Sequence, residues 1–122
     1  MLEPEFVKIP VNDFPFDSYQ AYAKITAQYP EILNNLQYPA LGLAGEAGEV
    51  CNKVKKIYRD QDGVVTEENR QDLKKELGDV LWYIAALCTE LRLDMGEVAV
   101  TNIQKLFDRL ERGTIKGRGD AR

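Results

Sequence analysis

A chain of 122 residues, 44% hydrophobic and 30% charged, has the length for one domain that buries roughly two-thirds of its unfolded surface. Its net charge of −4 argues against a general nucleic-acid binder. Histidine is absent, which removes Ser-His-Asp and Cys-His catalysis, histidine-ligated zinc and the Glu-x-x-His di-iron bundle, so any chemistry must use carboxylates, amines, hydroxyls and bound metal.

Residues 1–16 carry Pro4, Pro10 and Pro15 and are expected to form an irregular arm. Asp17 or Ser18 is placed to cap a first helix that runs to about Tyr29 and is stopped by Pro30. After a loop ending in Tyr38-Pro39, a second helix is expected from about Ala40 to Arg59. Asp60-Gln61-Asp62-Gly63 is a turn, and Thr66 is a good N-cap for a third helix from Glu67 to about Arg92. Asp94 with Glu97 has the form of a capping box for a fourth helix ending near Gly113. The remainder, 114–122, reads as a flexible basic tail. Its Arg118-Gly119-Asp120 has the letters of an adhesion signal, read here as coincidence. No strand pattern competes, so the expected class is all-α: a four-helix bundle-like single domain spanning 1–122.

No apolar run approaches the ~18 residues of a membrane span, and Met1-Leu2-Glu3-Pro4-Glu5 lacks a basic start followed by an apolar core. The expectation is a cytoplasmic protein. Cys51 and Cys88 have no metal-ligand spacing, and Cys88 falls on an apolar stripe as a small core residue.

The most informative feature is a repeat. Leu43-Ala44-Gly45-Glu46-Ala47-Gly48-Glu49-Val50 and Leu73-Lys74-Lys75-Glu76-Leu77-Gly78-Asp79-Val80 share the pattern L-x-x-E-[AL]-G-[ED]-V at an offset of 30 residues. In the third helix, Leu73, Leu77, Val80, Ile84, Leu87 and Leu91 recur in steps of four and three; Leu43, Ala47, Val50, Val54 and Ile57 do so in the second. Each set forms one apolar seam. The first acid of each copy lies roughly 60° from its seam and the second roughly 120°, on the same side. A short connector favours an antiparallel hairpin, and antiparallel pairing brings both acidic flanks out on one side. Glu46, Glu49, Glu76 and Asp79 should therefore converge on one cleft.

Two like charges about 4 Å apart repel by about 4 kcal/mol at an effective dielectric of 20. Four carboxylates in one cleft call for protonation or a cation, and oxygen-only ligation selects Mg2+ or Mn2+ before zinc. Gly42, Gly45 and Gly48 each cost about 1 kcal/mol in a helix interior, which is tolerated where a backbone or ligand must come close. Gly48 and Gly78 hold matching places in the repeat and are expected at a close helix crossing.

With these residues in hand, the chain resembles the MazG-type, all-α nucleoside triphosphate pyrophosphohydrolases. The resemblance rests on E-x-x-E, a spacer, then E-x-x-D, within Gly42–Val50 and Glu76–Tyr83, and on Asn102-Ile103-Gln104-Lys105-Leu106; it runs from about Tyr19 to the tail. In the broadest form of that motif two acids are adjacent, and here the first of them is Gly45.

The resemblance implies magnesium-dependent hydrolysis of a (deoxy)nucleoside triphosphate to the monophosphate and pyrophosphate. It makes Glu46, Glu49, Glu76 and Asp79 the metal ligands and Glu49 the candidate general base. Lys53, Lys56, Asn102 and Lys105 become the candidates for phosphate, and Tyr19, Tyr22, Trp82 and Tyr83 those for the base. It also implies a homodimer or homotetramer. The competing readings are a related nucleotide hydrolase, acting on phosphoribosyl-ATP, dUTP or dCTP, and a non-enzymatic helical interaction module whose acids are solvated surface.

Overall fold

The computed structural model describes residues 12–113, 116 and 119. Most of the expected arm, and nearly all of the expected tail, Arg118 and Asp120 included, lie outside the described residues. Four helices follow in chain order: α1 (Phe16–Thr26), α2 (Gln37–Gln61), α3 (Glu67–Glu90) and α4 (Met95–Arg112). The described residues contain no strand. The all-α reading holds, with boundaries displaced by a few residues.

The longest helices, α2 and α3, form the antiparallel hairpin. Contacts run in opposite directions along the two: Gln61 hydrogen-bonds Asn69, Lys53 meets Asp72 and Glu76, and the Tyr38 ring lies tilted beside that of Tyr83. The connector is tightly specified. Asp62 and Gly63 both adopt left-handed backbone, at φ 52° and 77°. Thr66 Oγ1 then accepts from the Asn69 amide, and Asn69 Oδ1 accepts from the Thr66 amide, a reciprocal cap.

The other helix starts are capped from elsewhere. α1 begins at Phe16, where the Pro15 carbonyl accepts from the Tyr19 amide, so neither Asp17 nor Ser18 caps it. Asp17 instead reaches across to α4 and accepts from the Gly96 amide at 2.8 Å, while Gln20 accepts from the Met95 amide at 2.7 Å. The expected Asp94–Glu97 box does not form: Asp94 occupies the N-cap without a side-chain bond, and the first two amides of α4 are satisfied from α1 instead. These cross-helix bonds fix the α4 start, and Met95 joins Ala23, Ala85 and Cys88 in the core.

α1 stops at Thr26, short of the expected Tyr29, because the chain turns extended at Ala27. The following loop is organised by one buried carboxylate. Glu90 accepts from the Tyr29 hydroxyl (2.6 Å), the Leu33 amide (2.7 Å) and the Asn35 amide (2.9 Å). These bonds hold Leu33 at φ 75°, a left-handed conformation that costs a non-glycine residue energy and persists only when its surroundings fix it. Asn35 Oδ1 then accepts from the Tyr38 amide, starting α2 three residues before the expected Ala40.

The seams differ in part from the periodic reading. Ile57 is buried and Leu43, Val50, Leu73, Val80, Ile84 and Leu87 are half-buried, but Ala47, Val54, Leu77 and Leu91 face solvent. The expected close crossing at Gly48 and Gly78 is also absent: a methyl group on either would meet nothing within 4 Å. The core centre lies instead at Ala23, Ala85 and Cys88, where α1 packs on α3. Past its anchored start, α4 leaves Val100, Ile103, Phe107 and Leu110 exposed.

Candidate functional site

Glu46 projects from α2, and Glu76 and Asp79 from α3. One carboxylate oxygen of each lies within 4.8 Å of the others. Glu49 is exposed and not one of the three that meet, although its charge still acts on Glu46. Burial first, then the charges of Asp79, Glu76 and Glu49, push the Glu46 carboxyl above its ordinary pKa.

The donor set suits a hard divalent cation. Three carboxylate oxygens at this spread can close on one ion with metal–oxygen bonds of about 2.0–2.6 Å after small side-chain movements. Among the described residues no cysteine joins this group, and Cys88 lies in the core. Glu46 and Asp79 also line a cavity of about 320 Å3 whose other walls are Trp82 and Tyr83.

Trp82 and Tyr83 also line a second cavity of about 320 Å3, together with Tyr29 and Tyr38. The rings support one another. Tyr29 stacks on Tyr38 with centroids 4.9 Å apart, and Trp82 meets Tyr83 edge-on at 5.1 Å. Trp82 is fixed in orientation by donating its indole N–H to Thr26 Oγ1 at 2.8 Å. Tyr83 packs directly against the α2 backbone at Gly42, where any side chain would overlap its ring. The Tyr83 phenol is held above its ordinary pKa, chiefly by burial and by Tyr38, with smaller contributions from Glu46 and Asp79.

Among the other aromatics, Tyr19 is half-buried against the core, and its phenol is raised first by burial and then by the charge of Asp79. Tyr22 is more exposed and pairs with Phe14, at 5.8 Å between ring centres.

The amines are distributed unevenly. Lys53 Nζ stands 2.8 Å from Glu76 Oε1 and 2.8 Å from Asp72 Oδ1. Lys56 is exposed, and its charge acts on Asp60 at the far end of α2. Asn102 and Lys105 lie on α4, and neither lines the acid cavity. A larger cavity of about 510 Å3, between α1 and the α3–α4 turn, includes Lys24 and Arg92 and none of the clustered acids. Of the two, only the smaller cavity is lined by clustered acids, Glu46 and Asp79.

Sequence reasoning missed Asp72, Thr26, Tyr29, Tyr38 and the role of Gly42 as the seat of Tyr83. Asp72 was accessible in principle, since it stands one helical turn before Glu76. Tyr29, in the loop, and Tyr38, in the first turn of α2, carried no periodic signal.

The sequence profile of the MazG nucleotide pyrophosphohydrolase domain matches residues 35–113. The chain belongs to the MazG nucleotide pyrophosphohydrolase family. A relative named Gene 37 protein, from Mycobacterium phage L5, is 50% identical over 111 residues, covering 87% of this chain and 97% of the relative. No solved structure matches. The family's matched span contains all of α2, α3 and α4, and with them every clustered acid. Among the described residues, no helix is long and apolar enough to cross a membrane.

Proposed function

We propose that this MazG-family chain hydrolyses (deoxy)nucleoside triphosphates to the monophosphate and pyrophosphate, using magnesium held by Glu46, Glu76 and Asp79 with Glu49 alongside. The observation that carries the reading is the convergence of carboxylates from both halves of the repeat beside an aromatic wall. Bound magnesium would neutralise phosphate charge and lower the pKa of a water for attack on the α-phosphorus.

The chain's own residues do the rest. Glu46, Glu76 and Asp79 concentrate negative charge where a hard cation is needed, on helices locked together by Tyr83 over Gly42. Glu49 stands outside the three that meet, so its carboxylate is available to accept a proton from the attacking water. Trp82 and Tyr83 form a wall shared by the acid cavity and the aromatic cavity, which suits a triphosphate on one side and a base on the other. Tyr19 lies near enough to feel the charge of Asp79, whereas Tyr22 is the weakest of the base candidates. Lys53 is the phosphate candidate nearest the acids. Lys56, Asn102 and Lys105 would act only on a longer substrate or from a neighbouring subunit.

A homo-oligomer, dimer or tetramer, accounts for the apolar residues left exposed on α4 and at Val54 and Leu77. The unpaired Cys51 and Cys88 suit a reducing compartment such as the cytoplasm.

The test is a panel of common triphosphates and phosphoribosyl-ATP incubated with magnesium, scored for pyrophosphate against inorganic phosphate. Pyrophosphate from at least one substrate is expected, and its identity separates the general reading from a dUTP, dCTP or phosphoribosyl-ATP hydrolase. Release from none of them would leave the acids as surface charge on an interaction module.

A further inference from the structure

The ammonium of Lys53 occupies an unusual position for a phosphate ligand. It bridges two carboxylates of α3, at 2.8 Å to Asp72 Oδ1 and 2.8 Å to Glu76 Oε1. One of these, Glu76, belongs to the acid cluster, and the other does not. The Lys53–Glu76 pair is also the more enclosed, with side-chain exposures of 28% and 16% against 49% for Asp72.

We propose that Lys53 is the resident counter-cation of the acid cluster, holding Glu76 in the metal-free protein and yielding it when a divalent ion binds at Glu46, Glu76 and Asp79. This inference rests on the metal-centre reading above.

Four physical points support it. Without a cation the cluster is self-repelling, and Lys53 supplies a positive charge at one of its members. A doubly charged ion and an ammonium sharing one carboxylate repel each other, even where each takes a different oxygen. Asp72 gives the released ammonium a remaining partner, so metal entry breaks one of two ion pairs rather than stranding the lysine. A lysine suits this role because its charge sits at the end of a flexible stem that can pivot between partners. Once Glu76 turns to the metal, the same ammonium is left beside the cluster with one carboxylate instead of two. It is then better placed to meet an anionic phosphate. Metal and triphosphate would thereby bind with positive coupling through Lys53.

The test measures Mn2+ binding by electron paramagnetic resonance, in the absence of nucleotide, so that turnover plays no part. Wild type is compared with Lys53→Met, Lys53→Gln, Lys53→Arg and, as a control for net charge on the same helix, Lys55→Met. Removing the competing cation should tighten Mn2+ binding about fivefold in both neutral variants. Lys53→Arg, which keeps the charge, should stay near wild type, and Lys55→Met should shift affinity less than about twofold. Unchanged or weaker binding in Lys53→Met and Lys53→Gln would overturn the proposal while leaving the metal centre intact. An equal tightening in Lys55→Met would overturn it too, by assigning the effect to net charge. Failure of wild type itself to bind Mn2+ would remove the metal centre, and this proposal with it.

Discussion

The ring of Tyr83 on α3 occupies the space that a side chain at position 42 on α2 would need. This contact lies beside the acids and sets how closely the two helices approach there. A Gly42→Ala substitution must displace the ring or part the helices. A loss of about 1–3 kcal/mol in unfolding free energy is expected from denaturant titration. Gly45→Ala should do the opposite. A methyl group there meets nothing within 4 Å, so the gain in helix propensity of up to about 1 kcal/mol should appear as added stability.

Glu90 makes the loop before α2 pH-sensitive. Its carboxyl lies below the ordinary value of 4.5: burial opposes ionisation, but the Tyr29 hydroxyl and the Asn35 and Leu33 amides together outweigh it, with help from Arg92. A depressed folded pKa gives stability that is present above the unfolded value and lost as pH falls through the folded one. The melting temperature should therefore drop as pH falls below about 4.5. Glu90→Gln faces one of the three donors with an amide N–H. It should lose about 2–3 kcal/mol at pH 7 and flatten the acid limb of the melting curve.

Trp82 is the single tryptophan, and it forms part of the wall of both cavities. Its emission therefore reports directly on the site. A non-hydrolysable triphosphate with magnesium should change that emission with saturation. Thr26→Val removes the acceptor of the indole N–H, so it should cost about 1 kcal/mol of stability and weaken nucleotide binding without altering Mn2+ affinity. An emission that ignores nucleotide would argue that the base lies elsewhere.

The repeat made the hairpin and the meeting of Glu46, Glu76 and Asp79 legible, because helical phase alone determines which flank the acids share. Less could be read where a contact crosses between elements distant in sequence. Asp17 and Gln20 cap α4 from α1, so a local capping box at Asp94 and Glu97 looked sufficient when it was not. Glu90 ends an apolar helix and reads as a surface acid until the loop folds over it. The seam was over-extended at Leu77 and Leu91, since periodicity records an apolar stripe but not which part of it the same chain covers. Gly48 and Gly78 matched in the repeat, yet the helices do not close there.

Glu46 should reveal the cost of gathering the acids without a divalent ion. Its raised carboxyl pKa means that the metal-free fold loses relative stability as pH rises through that value. Metal-free Glu46→Gln should therefore melt higher than wild type at pH 8. Added magnesium should raise wild type and leave the variant nearly unmoved, as differential scanning fluorimetry will show.

The most direct measurement is magnesium-dependent pyrophosphate release by wild type and by Asp79→Asn, on protein whose helicity and oligomeric state match. Asp79→Asn keeps the side chain's size while removing one of the three charges that meet. The metal-centre account predicts pyrophosphate from wild type only with a divalent ion, and a fall of at least about 100-fold in the variant, together with weakened Mn2+ binding. Equal rates in the two proteins, or release that persists with the divalent ion chelated, would contradict it.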